Sequence, residues 1–243
     1  VHPHSGEVYV TGYTASAGAF NSVSAAISST FGAVPAANDV FVARLSADLS
    51  RVIHVTYLGG GGDDQGLAIA IHPASGDVYV AGRTNSSNFP MGSDAGAPAQ
   101  ATNGGGYDAF LSRLNADLAT LKRSTYYGNG NLQIAFAIAI HPVTGDIYMG
   151  GRTDGAAPTD PGVAQQAYGG ATSNGFITRH SADLGSRLAA THLGGSSGNG
   201  DEILAIAIHP QTGDIYVAGD TWAPDFPGVT ATSAQPRLMS ASE

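Results

Sequence analysis

The sequence predicts an all-β protein, a β-propeller built from four-stranded antiparallel blades, and two observations carry that prediction. The first is a repeat. AIAIHPASGDVYVAG at residues 68–82 returns as AIAIHPVTGDIYMGG at 137–151 and as AIAIHPQTGDIYVAG at 205–219, and the chain opens on its tail, VHPHSGEVYVTG. The marking histidines, His2, His72, His141 and His209, stand 70, 69 and 68 residues apart. A fixed spacing over this length is the signature of a repeat architecture. The second is that each period holds four short segments of strand character and no sustained 3.6-residue apolar period.

Within one period the elements follow in order. LAIAIH at 67–72 is a short apolar strand, and HPASGD then places Pro, Gly and Asp together for a tight hairpin turn. VYVAGRT at 78–84 is rich in the β-branched and aromatic residues that strands favour. A long loop leads to DAFLSRL at 108–114, and the short turn NADL leads to LKRSTYY at 121–127. DVFVARL and VIHVTYL agree in the first period, and NGFITRH and RLAATHL in the third. Strands such as VYVAG lack a clean in/out alternation, as expected of a blade packed between two neighbours. The alanines of AIAI suit a crowded innermost strand. A β-sandwich or a β-helix accounts less well for the period.

The predicted blades cover about residues 1–62, 63–131 and 132–199, with half a blade over 200–243. That is about three and a half blades, where closed propellers have four to eight. The expectation is a segment of a longer chain, or an oligomer that shields its edges, because unpaired edges invite aggregation.

Composition narrows the function classes. Glycine, at 34 of 243 residues, is about twice its usual share, and charged residues, at 12%, about half of theirs. The net charge is −9, with nine arginines and the single Lys122. No basic stripe is available for a nucleic-acid backbone. With no cysteine, disulfides, thiolate metal sites and cysteine nucleophiles are excluded. No run approaches the roughly 18 apolar residues of a membrane span, and no signal-peptide pattern is present.

Irregular chain on a rigid scaffold is where binding concentrates. The turns after strands one and three are tight, whereas the loops after strands two and four are long, so one face carries nearly all the irregular chain. The acids of the tight turns (Glu7, Asp77, Asp146, Asp214, Asp48, Asp117 and Asp183) read as structural, through local backbone hydrogen bonds. Of the acids assigned to the long loops, Asp63, Asp64, Asp201 and Glu202 are the candidate Ca²⁺ ligands. Each pair alone falls short of the six to eight oxygens calcium takes, and the matching GNGNLQ has no acid.

The repeated histidines lie about 10 Å apart if blades pack as sheets do. That is too far to share one metal at bonds of about 2 Å, so a turn or packing role is expected. His192 stands where other periods have Tyr57 and Tyr126, which suits an apolar strand position. The position that varies inside a fixed frame is the end of strand two: Tyr13, Arg83, Arg152 and Asp220, each between a glycine and a threonine. With the neighbouring Trp222, the only tryptophan, these are the candidate ligand-binding residues. No nucleophile elbow, zinc-binding helix motif, phosphate loop or dinucleotide fingerprint occurs, and no catalytic residue is assigned.

GGGGDDQGLAIAIHPASGDVYVAGRTNSSNFP, followed by AQ and then GGYDAFLSRLNADLATLKRSTYYG, resembles the SBBP repeat, a bacterial beta-propeller repeat. The likeness extends over three copies and a partial fourth. The turn departs from the pattern, with His where the family more often has Asp. The resemblance implies a surface or secreted bacterial protein, often modular, with no common enzymatic activity. The expected function is a non-enzymatic scaffold that binds protein or glycan through its long-loop face. The alternatives are a hydrolase or lyase with its site at the mouth of the completed ring, and a calcium-stabilised adhesin module.

Overall fold

The computed structural model describes residues 1–16, 37–235 and 237; the long loop of the first period and the last residues of the half blade lie outside them. All regular structure among the described residues is β. The first sheet runs β1 (Val8–Thr14), β2 (Asp39–Leu45) and β3 (Val52–Leu58). The second runs β4 (Asp64–Ile71), β5 (Val78–Thr84), β6 (Asp108–Leu114) and β7 (Leu121–Tyr127). The third runs β8 (Gln133–Ile140), β9 (Ile147–Thr153), β10 (Asn174–His180) and β11 (Arg187–Leu193). The fourth pairs β12 (Asp201–Ile208) with β13 (Ile215–Thr221). Every pairing is antiparallel and between consecutive strands. These are the sheets of propeller blades.

The expected strands at 78–84, 108–114 and 121–127 coincide with β5, β6 and β7. The first strand of each blade needs correction. β4 begins at Asp64, inside the glycine-rich stretch taken for a loop, because a β-bulge between Gly66 and Ala68 keeps Asp64 in register with Thr84. The same bulge recurs at Ala135/Ala137 and Ile203/Ala205. An extra residue in one strand lets pairing continue across a local irregularity. Asp64 and Asp201 are therefore buried strand residues, not loop acids.

The sheets stack face to face, with β4 against β1 and β8, and β8 against β12. Their first strands thus neighbour one another, and the alanines of AIAI in β4 are half-buried there. Strand β5 feeds two cores. Val78 and Val80 enter the cluster shared with Val40, Val42 and Leu58 of the first sheet. Tyr79 and Ala81 enter the one shared with Ile147, Met149 and Phe176 of the third. Period-2 alternation therefore survives as geometry while both faces are apolar, which is why VYVAG shows no polar face. The sheet's position decides burial. Tyr79 is fully buried, whereas Tyr216, in the same motif of the fourth sheet, is 58% exposed.

Three repeated devices close the seams between blades. The Tyr9 hydroxyl donates to the Ala116 carbonyl at 2.6 Å, and Tyr79 donates to Ala182 at 2.5 Å, each reaching the turn between strands three and four of the following blade. From that turn a leucine at positive φ returns the contact. Leu118 (φ 62°) and Leu184 (φ 59°) are completely buried in the two cores, whereas Leu49 (φ 59°), in the first sheet, is 62% exposed. A left-handed leucine costs about 1–2 kcal/mol, and burying its side chain offsets that with roughly 1.5–3 kcal/mol. The third device is the histidine. His72 Nδ1 accepts from the Ala74 and Ser75 amides at 3.3 and 3.2 Å, and His141 repeats this with Val143 and Thr144. The ring's far edge lies on the turn glycine of the next blade: a Cβ on Gly145 would sit 2.7 Å from His72 Nε2.

Six of the seven tight-turn acids divide into two groups, and the seventh, Asp214, accepts from the Thr212 hydroxyl at 2.7 Å. Asp48, Asp117 and Asp183 accept from nearby backbone amides, as expected of turn residues. Glu7, Asp77 and Asp146 instead pair with an arginine on the third strand of their own blade: Arg44 at 2.7 Å, Arg113 at 2.6 Å and Arg179 at 2.5 Å. Asp77 also holds Lys122 at 2.7 Å. Burial works to raise its carboxyl, but the Lys122 and Arg113 hydrogen bonds outweigh it and hold the group below the usual carboxylate range.

Candidate functional site

The ends of the second strands carry the variable residues. Tyr13 pairs with Val40, Arg83 with Gln65 and Ala109, Arg152 with Ile134 and Gly175, and Asp220 with Glu202. Each stands at the long-loop end of its own sheet, so the four do not converge on one point. What meets is each residue with the loop of its seam.

Around Arg83 the neighbourhood is closed. Its guanidinium lies 4.7 Å from the Tyr107 ring, an arrangement a cation favours over an aromatic face. The Tyr107 hydroxyl donates to Asp63 Oδ2 at 3.2 Å, and Gln65 Nε2 donates to the same oxygen at 2.9 Å. The Asn38 side chain donates to Asp63 Oδ1 at 2.5 Å. Asp63 is thereby consumed in joining the first and second sheets.

The seam between the third and fourth sheets is more open. Arg152 donates to Asp154 at 2.7 Å, and this hydrogen bond, with Glu202 nearby, raises its pKa further. Glu202 pairs in register with Asp220. Tyr168 lies near Arg152 and Asp154, and burial leads the upward shift of its hydroxyl. Trp222 is 62% exposed one residue past β13, where a Cβ on Gly198 would lie 2.6 Å from its carbonyl. A cleft of about 240 Å³ beside it is lined by Glu202, Ile203, Val217, Asp220, Thr221 and Phe226. Arg152 shares the face of β9 that meets the fourth sheet, through Gly150 against Ile203 and Ile206, whereas Asp220 shares its face of β13 with the exposed Tyr216, and Tyr13 and Arg83 stand in other sheets, so the sequence-predicted residues are not brought into one group. An exposed indole suits stacking on a planar or sugar face.

The paired calcium candidates point apart. Both Asp64 oxygens are occupied: Thr84 donates to Oδ1, while the Gly60 amide and the Ser86 hydroxyl donate to Oδ2 at 2.8 Å each. Burial raises the Asp64 pKa to about 6, against those hydrogen bonds. Asp201 repeats the pattern, accepting from Thr221 and from the Gly195 amide at 2.9 Å. Alternation along β12 sends Asp201 and Glu202 to opposite faces, and Asp63, just before β4, turns to Asn38, Gln65 and Tyr107 while Asp64 turns to Thr84 and Ser86. Among the described residues, no group of three or more His, Asp or Glu side chains is placed to hold a metal ion. His192, in the tyrosine position, is buried and takes over the tyrosine's task. Its Nε2 accepts from the Ala157 amide at 3.2 Å, as the Tyr126 hydroxyl accepts from Phe89 at 3.2 Å.

A polar pair at each seam is absent from the sequence reading. The first residue of strand three (Asp39, Asp108, Asn174) meets the first residue of the next blade's strand one (Asp64, Gln133, Asp201) around a glycine. A Cβ on Gly59, Gly128 or Gly194 would contact both members. All six are buried. Their signal was present in the sequence as a column that is always acid or amide, but Asp64, Gln133 and Asp201 lay in the stretch assigned to loops, apart from the predicted third strands that Asp39, Asp108 and Asn174 open.

No curated protein matches this chain. Residues 53–90, from within β3 through β4 and β5 to Pro90, match the SBBP family model, described as a beta-propeller repeat, and this stretch of the chain is therefore a beta-propeller repeat set within sheets that recur around it.

Proposed function

We propose that the chain is a non-enzymatic propeller scaffold that binds a protein or glycan ligand at the long-loop end of the seam between its third and fourth sheets. The observation that carries this reading is Trp222. It is the sole tryptophan, and it stands exposed at the position that Ala15, Asn85 and Asp154 take after the other second strands, two residues beyond Asp220. The tight turns and buried seams fix the backbone beneath, so the loops present the indole without refolding. The outer faces of the first and fourth sheets, with Leu49 and Tyr216 exposed, are read as seats for further blades of the same repeat. Their chemistry is that of the two interior seams. A bacterial surface or secreted setting rests on the resemblance to the SBBP repeat.

A single indole makes the test direct. Tryptophan emission of the 243-residue chain is followed while defined oligosaccharides and peptides are added. A ligand that shifts the emission is then tested against Trp222→Ala and Arg152→Ala by calorimetry. Loss of binding with an unchanged circular dichroism spectrum supports the reading. Binding that survives both substitutions would move the site elsewhere.

A further inference from the structure

Each interior seam joins two unlike surfaces. The giving surface carries the tyrosine whose hydroxyl donates across the seam, Tyr9 or Tyr79, and a histidine whose ring covers the turn glycine of the next sheet. A Cβ on Gly76 would lie 3.0 Å from His2 Nε2, and one on Gly145 or Gly213 would lie 2.7 Å from His72 or His141 Nε2. The receiving surface carries that glycine, the Ala116 or Ala182 carbonyl, and the buried Leu118 or Leu184. These contacts all run the same way along the chain, so a surface of one kind is matched only by the opposite kind.

The outermost sheets leave one surface of each kind open. On the fourth sheet Tyr216, its register partner Ala207, and His209 are exposed, whereas Tyr9 and Tyr79 are buried. On the first sheet Val10, Leu49 and Val52 are exposed, whereas their counterparts Val80, Leu118 and Leu121 are buried. Gly6 holds a φ of 71°, beside 72° and 74° at Gly76 and Gly145, so its turn has the shape that a histidine covers elsewhere. Apart from its chain neighbours, only the Ala47 side chain among the described residues comes within 4 Å of a Cβ built there. Each open surface lacks what the other supplies, and both expose apolar side chains that such an arrangement would cover.

We propose that the partner of both surfaces is a second copy of this chain, the first sheet of one copy docking on the fourth sheet of the other. One copy's Tyr216 donates to the other copy's Ala47 carbonyl, whose Leu49 enters the joint, and His209 covers the other copy's Gly6. The proposal rests on reading the two outer faces as seats for blades of the same repeat, and it commits them to each other. Unlike surfaces joined in this way close into rings or run on as filaments. Two copies of four sheets make eight, the upper end of the four to eight blades typical of closed propellers. The fourth sheet brings two strands where the second and third bring four, so the contact is smaller than an interior seam and belongs to the weak, concentration-dependent class. At the low concentration of an unfolding measurement the chain is single.

Sedimentation of the 243-residue chain is followed from about 1 µM to about 1 mM, and the average mass is expected to rise from one chain towards two or more. Leu49→Arg spoils the receiving surface and Tyr216→Arg the giving one. Each variant alone should stay single throughout, with an unchanged circular dichroism spectrum, because both side chains are already exposed. Mixed in equal amounts the two should associate again, since the first keeps its fourth sheet intact and the second its first sheet. A symmetric contact between like faces does not recover on mixing. Should either variant fail to fold, Val10→Arg and Ala207→Arg make the same pair on the same two faces. A wild-type chain that stays single at every concentration overturns the second copy as partner but leaves the faces as seats for other blades. Association that both arginine variants retain overturns the seats as well, and association that they lose but do not regain on mixing overturns the pairing of unlike surfaces.

Discussion

Leu118 offers the sharpest test of how the blades are held together, because one motif occurs at three positions and is buried at only two. Leu49, Leu118 and Leu184 share an Ala-Asp-Leu turn and a positive φ near 60°. Leu118 is wholly inside the core between the first and second sheets, while Leu49 is 62% exposed. Leu118→Ala keeps the strained backbone and removes the buried side chain, so the expected loss is about 2–5 kcal/mol. Leu118→Gly loses the same contacts but relieves the left-handed penalty, and is expected to cost about 1 kcal/mol less than alanine. At Leu49, where little burial is at stake, Ala is expected to change stability by no more than about 0.5 kcal/mol. Gly there should raise it by about 1 kcal/mol. Urea unfolding of the four variants, read as midpoints at a common slope, measures all of this. Equal losses for Leu118→Ala and Leu49→Ala would show that the turn, and not the seam, explains the leucine.

Further expectations follow from the same geometry. Tyr79→Phe removes the donor to the Ala182 carbonyl and should cost about 1–2 kcal/mol, whereas Tyr216→Phe, with its ring exposed, should leave the urea midpoint unmoved. His180 is buried in the position of Leu45 and Leu114, with both ring nitrogens unpartnered, and burial lowers its pKa to about 4. The native state therefore binds its proton less readily than the unfolded chain, and stability falls as pH drops from about 6.5 to 4. His180→Leu should abolish up to about 3 kcal/mol of that loss, measured as the pH dependence of unfolding. Calcium or a chelator should leave the melting temperature unchanged, since the Asp63 and Asp64 oxygens already accept hydrogen bonds; a rise with calcium would show that these bonds yield to the ion.

Much of this arrangement was legible in the sequence. VYVAGRT, DAFLSRL and LKRSTYY declare themselves by β-branched and aromatic content between turn residues, and the strands fall on those residues. The histidine's role in the turn was legible too, because repetition kept its copies apart. What escaped depends on contacts between sheets. DDQG looks like loop because acids and glycines usually mark loops, yet a bulge carries the ladder through it and buries Asp64. Nothing local announces that Leu118 is left-handed, that Asp77 serves two cations across its own blade, or that Asp108 faces Gln133. At the candidate site, the variable column was visible in the alignment of the repeats. Its division among separate seams, with Arg83 closed over by Tyr107 and Trp222 open, required the fold.

The exchange of a tyrosine for a leucine at the first two seams has a consequence for how the molecule comes apart. Each blade is coupled to its neighbours alone, so stability behaves as a chain of nearest-neighbour terms. The second and third sheets, held from both sides, should exchange their amide protons most slowly. The two-stranded fourth sheet and the three-stranded first should fray before them. Loss of one plug would then split the array at that joint, leaving shorter stacks, each still folded within itself.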